Sequence, residues 1–115
     1  MIRKAPQQPP RPPSHLSSKT KKFWTWAVTT YELDPHHLMI LGRLCEASDR
    51  CDEAREVLKR DGIVVKDRFG RSLPHPAVQI ERDARVAVMR CVRELDLDAT
   101  PAPESPRPPS LHRYQ

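Results

Sequence analysis

Few residues in this chain have side chains able to do chemistry, and they fall into three groups. His36 and His37 are adjacent, with His75 further on; Cys45, Cys51 and Cys91 are scattered; lysines and arginines gather towards one end. The histidine pair could begin a metal site, but no third or fourth ligand follows at a suitable spacing, and neither CxxC nor HxxxH occurs. Cys45 and Cys51 are six residues apart, about 240° around a helix, so they do not share a face. The cysteines read as small buried apolar residues of a reducing compartment. There is no Gly-rich phosphate loop and no Ser/His/Asp set in a plausible order. The expectation is a protein without catalysis, metal or cofactor.

What remains is charge. Arg3, Lys4, Arg11, Lys19, Lys21 and Lys22 are the cations of residues 1–22, which hold no acid, whereas residues 23–98 carry twelve Lys/Arg against fourteen Asp/Glu. The formal charge of +5 is therefore mainly a property of the amino-terminal segment. A basic arm on a near-neutral core suits an anionic partner, most simply nucleic acid. Lys19, Lys21 and Lys22 lead the candidates because they abut a predicted helix. Lys66, Arg68 and Arg71 come second, at the tip of a predicted hairpin. The competing readings are a solubilising tail for the first group and edge protection by charge for the second.

The 115 residues allow one small domain. Of the 13 prolines, five lie in residues 1–13 and five in residues 101–109, segments with no apolar periodicity to offset ordering entropy. Residues 1–16 are expected as a disordered basic arm, 17–98 as the folded core, and 99–115 as a disordered Pro-rich tail. A core of roughly 80 residues is marginal by surface-to-volume scaling and commonly gains stability by oligomerising. No apolar run of about 18 residues exists, and residues 1–13 lack the apolar centre of a signal peptide, so a soluble intracellular protein with no membrane partner is expected.

Within the core the spacing predicts helix, long helix, hairpin, helix. The first helix starts at Ser17 or Ser18, either a good N-cap. It carries two apolar stripes: Trp24, Ala27, Val28 and Tyr31 on one side, Phe23, Trp26, Thr30 and Leu33 on another. One stripe is expected on the chain's own core and the other on a neighbouring copy. Asp34 and Pro35 open the second helix and Gly62 closes it in a left-handed conformation. Ile40, Leu44, Ala47, Cys51, Ala54 and Leu58 alternate steps of four and three, a heptad-like seam. Phe23, Trp26, Ile40, Leu44, Ala47 and Cys51 are thus the predicted contacts between copies. Residues 63–73 read as a hairpin, with a type I turn over Asp67–Gly70 and Pro74 ending the pairing. Such a hairpin is unstable alone and should lie on helices, its own or a neighbour's. Pro76 opens the last helix, whose buried stripe is read as Ala77, Ile80, Ala84, Ala87, Cys91 and Leu95, widened by Val88 and Val92, with Arg82, Arg85, Arg90 and Arg93 facing away.

This order of elements resembles the small subunit of phage terminase, a family common in tailed phages and prophages. The residues carrying the resemblance are the aromatic-rich Phe23–Tyr31, Leu33-Asp34, Leu41–Glu46, Ala54–Leu58, Gly62, Gly70 and Leu73–Ala77. One departure stands near the end of the last helix, where Leu95-Asp96-Leu97-Asp98 replaces the Leu-Gly-Leu of the family pattern. The resemblance implies a non-catalytic ring-forming component of a genome-packaging motor, acting in the cytoplasm of a bacterial host. It would be a homo-oligomer larger than a dimer that engages double-stranded viral DNA and presents it to the terminase large subunit. Two other readings compete. One is a stand-alone helix-turn-helix regulator, although the second helix is longer than a recognition helix needs and begins with His36 and His37 rather than Arg, Asn or Gln. The other is a purely structural helical oligomer.

Overall fold

The computed structural model describes residues 8–97. It is mainly helical, with α1 (Ser18–Thr30), α2 (Pro35–Asp61), β1 (Val64–Lys66), β2 (Ser72–Pro74) and α3 (Pro76–Leu95) in chain order. Three helices with a two-stranded antiparallel hairpin between the second and third is the architecture the periodicity predicts.

Each helix begins where its first residues supply partners for orphan amides. Ser17 caps α1, its Oγ accepting from the Thr20 amide at 3.3 Å. At α2, Pro35 follows the N-cap Asp34, whose own amide donates to His37 Nδ1 at 3.3 Å. At α3, His75 is the cap: its Nδ1 accepts from the Ala77 amide at 3.0 Å, and Pro76 follows at the first helical position. The stops are local too. Gly62 ends α2 with φ 84° and ψ 166°, a positive-φ but extended conformation rather than the left-handed helical one predicted. Asp96 ends α3 in the left-handed region, at φ 47° and ψ 50°.

The hairpin pairs Val64 with Pro74, Val65 with Leu73 and Lys66 with Ser72. Pro74 is therefore the last residue of β2 rather than lying beyond it, and the next ladder bond is made by His75, whose amide donates to the Ile63 carbonyl at 2.8 Å. The Gly70 amide donates to the Asp67 carbonyl at 3.0 Å, closing the predicted turn, and Gly70 takes φ 80°. Asp67 accepts from the amides of Phe69 and Arg71 at 2.8 and 2.9 Å. Of the two supports expected for the hairpin, its own helices or a neighbour's, the first is not used. The hairpin does not lie on its own helices: only Val65 and Asp67 are half-buried within it, and Phe69 at the tip is 74% exposed.

Helices α2 and α3 run side by side and antiparallel. Asp61 meets His75 at one end, Cys51 and Arg55 meet Glu81 in the middle, and Leu44 joins Leu95 in the core at the other. Small residues line this contact: Ala47, Cys51 and Ala54 on α2, Ala77 and Ala84 on α3. Without long side chains between them the two backbones can approach closely. Helix α1 crosses the open end and completes a core of Leu16, Trp24, Ala27, Leu41, Leu44, Cys45 and Leu95.

Several packing expectations change. Leu41 and Cys45, outside the predicted seam, are the largest fully buried side chains, because α1 covers a second face of α2. Ile80 and Val92 are exposed, since each sits about 60° to one side of the line through Ala77, Ala84 and Leu95. Residues 8–16, expected as part of the arm, lie against the helices instead. Leu16 is buried in the core, and Trp24 Nε1 donates to the Pro10 carbonyl at 3.0 Å. Residues 1–7 and 98–115 are outside the described residues.

Candidate nucleic-acid interface

The predicted cations fall in two places. Lys19, Lys21 and Lys22 occupy the first turns of α1, which α2 holds at the level of Asp49 and Asp52. Asp49 anchors this junction by accepting from the Ser17 amide (2.9 Å), the Ser17 hydroxyl (2.6 Å) and the Thr20 hydroxyl (3.0 Å). Burial pushes the Asp49 carboxyl up, but the Ser17 and Thr20 hydrogen bonds outweigh it, so it stays below the usual range. Lys66, Arg68 and Arg71 stand at the hairpin tip, beyond the end of α2. Along α2, Asp52 beside the first group and Asp61 at the base of the hairpin are about 14 Å apart.

Not all of these charges are available. Lys19 Nζ is 2.7 Å from Asp52 Oδ2. Arg71 Nε is 2.9 Å from Asp67 Oδ2, and the Asp67 carboxyl is held below its ordinary value, first by the Arg71 amide. Lys22, Lys66 and Arg68 are exposed and Lys21 is half-buried; none of the four has an ion-pair partner among the described residues. The Arg68 guanidinium lies 5.5 Å from the Phe69 ring centroid, which keeps its charge at the tip. Arg11 is exposed, whereas Arg3 and Lys4 lie outside the described residues.

The predicted contacts between copies divide. Leu44, Ala47 and Cys51 are covered within the chain, so they are not open to a neighbour. A three-four spacing announces a helix partner, and here that partner is the chain's own α3. Phe23 and Ile40 are half-buried against the core. Trp26 is 47% exposed and meets Phe23 at a tilt and Tyr31 edge-on, each ring centroid 5.6 Å away. Of the six, Trp26 is the one that remains an exposed aromatic.

His36 and His37 have partners close by. Asp34, His36 and His37 bring their ligand atoms within 4.8 Å of one another, so a third donor does stand near the pair, supplied by the helix cap. His37 Nδ1 is already engaged by the Asp34 amide, and the His36 and His37 rings stack at 4.0 Å. The thiols are raised by burial, Cys45 to about 11, which suits packing rather than nucleophilic chemistry.

Two features escaped sequence reasoning as parts of a site. The strap of residues 8–17 lies against the helices through Pro10 and Leu16; Leu16, an isolated apolar residue just before the N-cap, was its only signal. The outer face of α3 presents Arg82, Arg85, Arg90 and Arg93, all exposed. Their helical spacing was legible; that Arg85 alone of the four is paired, with Glu81, among the described residues was not.

The described helices include none long and apolar enough to cross a membrane. The sequence matches the family described as phage terminase, small subunit, over residues 24–105. No curated protein and no solved structure matches it. The matched span runs from the buried Trp24 of α1 through the hairpin and the whole of α3, so it takes in nearly all of the helical core, and on that ground the chain belongs to the phage terminase small-subunit family, with its role in packaging phage DNA.

Proposed function

We propose that the chain is the non-catalytic small subunit of a viral DNA-packaging terminase, working as a homo-oligomer larger than a dimer in the cytoplasm of the bacterial host. It binds double-stranded viral DNA, presents it to the large subunit that holds the ATPase and nuclease, and regulates that subunit. The family match over residues 24–105 carries this reading.

Two surface features support it. Trp26, Met39, Ile63, Val64, Phe69 and Leu73 are all exposed large apolar side chains, surface that contact with a neighbouring copy would bury. A hairpin of this size is marginal on its own, so contact with neighbouring copies would complete it. Lys21, Lys22, Lys66 and Arg68, without ion-pair partners among the described residues, suit phosphate, and an assembly would repeat them around its axis, multiplying weak contacts through effective concentration.

Native mass spectrometry of the full chain tests the assembly; a monomer at micromolar concentration would remove it. Fluorescence anisotropy with duplex DNA at several salt concentrations tests the binding. The combined variant Lys21→Gln, Lys22→Gln, Lys66→Gln, Arg68→Gln should weaken binding and flatten its salt dependence. Removing residues 1–22 is the poorer experiment, because it also takes Leu16 and Thr20 out of the core.

A further inference from the structure

We infer that the outer face of α3 is a duplex-DNA backbone site in its own right, built from Arg82, Arg90 and Arg93. It rests on the reading of the chain as a DNA-engaging subunit but assigns the contact to residues which that reading does not use.

Position on the helix comes first. At 100° per residue, Arg82, Arg85, Val86, Met89, Arg90 and Arg93 share the side of α3 turned away from α2. The acids of the same helix do not. Glu81, Asp83 and Glu94 lie about 100° or more from the centre of that face. Glu81 turns towards α2, where its carboxylate receives Arg55 at 3.2 Å and Arg85 at 3.4 Å. Asp83 accepts from Gln79 at 3.0 Å at the edge of the face.

Availability comes second. Arg85 is partly neutralised by Glu81, but Arg82 bonds only the neutral Gln79, at 2.8 Å, so its charge is undiminished. Arg90 and Arg93 have no ion-pair partner among the described residues. Arg82 and Arg90 also line one shallow groove beside the face, with Asp83, Val86, Ala87 and Cys91. From Arg82 to Arg93 the row spans roughly 16 Å of helix, a length over which a duplex presents about nine charges. Guanidinium is the group suited to phosphate, offering a planar fork of donors.

Val86 and Met89, the latter 61% exposed, lie among these arginines, and apolar residues flanked by arginine also occur at protein interfaces. A second copy is therefore the competing occupant, and charge argues against it. An antiparallel pairing of two such faces would bring Val86 opposite Met89 but would set Arg82 against Arg93 at both ends. The outer side of α2 offers only Glu53 and Glu56 as acids without a partner among the described residues, too few to answer the row. DNA supplies the opposite charge along its whole length.

The test is the triple variant Arg82→Gln, Arg90→Gln, Arg93→Gln in the full chain, with circular dichroism and native mass spectrometry alongside duplex binding. Gln keeps helix propensity, so fold and assembly mass should be unchanged. Affinity for a duplex at 0.1 M salt should fall at least tenfold, and the slope of log affinity against log salt should decrease by about two to three, near 0.9 for each phosphate no longer neutralised. An unchanged slope with wild-type affinity overturns the inference and leaves the packaging reading standing. Loss of assembly mass with duplex binding intact also overturns it, because the face would then belong to a second copy. Absence of duplex binding by the unsubstituted protein overturns both.

Discussion

His75 Nε2 lies 3.1 Å from Asp61 Oδ2, tying the last residue of α2 to the cap of α3 across the base of the hairpin. Because His75 Nδ1 accepts from the Ala77 amide, Nε2 carries the proton and donates it to Asp61. The Asp61 carboxyl is lowered to about 2, first by the Arg60 guanidinium and then by His75. Glu46 is lowered as well, by His15 and then Arg43. A carboxylate held below its unfolded value stabilises the fold fully above that unfolded value, and the contribution is lost as pH falls through the folded one. The structure should therefore hold down to about pH 4 and weaken between there and pH 2. Ellipticity at the helix band, followed during an acid titration, checks this; a transition centred above pH 6 would contradict it.

Asp49 joins α1 to α2 through three donors, and its loss leaves the Ser17 amide without its carboxylate partner. Asp49→Ala should cost about 1–3 kcal/mol. Asp49→Asn keeps one carbonyl acceptor and should cost less. Urea midpoints of the two variants compare them directly, and equal midpoints would show that the junction is held by packing alone.

Gly42 is the weak position of α2, and the space beside it is open. A Cβ there would meet only Trp24 Cζ3, at 3.9 Å, an ordinary van der Waals contact. Gly42→Ala should stabilise the fold by about 1 kcal/mol and raise Tm by about 4–8 °C. A lower Tm would mean that Trp24 approaches more closely than this geometry allows.

Gly70 holds φ 80° at the hairpin tip, where a β-branched residue is strained. Gly70→Val should open the hairpin locally and speed hydrogen exchange at the His75 amide, which bonds to Ile63. Gly70→Asn should be better tolerated, since Asn enters the left-handed region more readily. Because the hairpin packs on no helix of its own chain, the core transition should move little. Unaltered exchange in the valine variant would contradict the turn.

Asp96 holds the left-handed conformation at the end of α3, where glycine has no Cβ penalty and where a negative charge faces the carboxyl end of the helix dipole. Asp96→Gly should stabilise the chain by about 0.5–1 kcal/mol. The substitution restores the Leu-Gly-Leu pattern of the resembling family, and thermal melting reads its effect.

Much of the site was legible because it is local. Lys66, Arg68 and Arg71 are grouped by a turn that Asp67 and Gly70 specify over four residues, and they stand where the turn puts them. Which cations are neutralised was not legible. Lys19 and Asp52 are 33 residues apart, and nothing in either neighbourhood announces that α1 will lie along α2. The arginines of α3 show the same limit from the other side: the spacing placed them outward, but not that Glu81 would receive Arg55 of α2 as well as Arg85.

The sequence by itself determined the elements, because caps, stops and turns act within one or two helical turns: Ser17, Asp34 and His75 open helices, and Gly62 and Gly70 bend the chain. Only the tertiary structure decided which apolar seam belongs to whom. Periodicity at Leu44, Ala47 and Cys51 shows that a helix must cover them, yet the same spacing serves a neighbour's helix or the chain's own. The antiparallel closure of α3 on α2, with α1 and Leu16 sealing the open end, settles this for the chain itself. The hairpin and Trp26 stay exposed because α1, α2 and α3 turn their buried faces to one another.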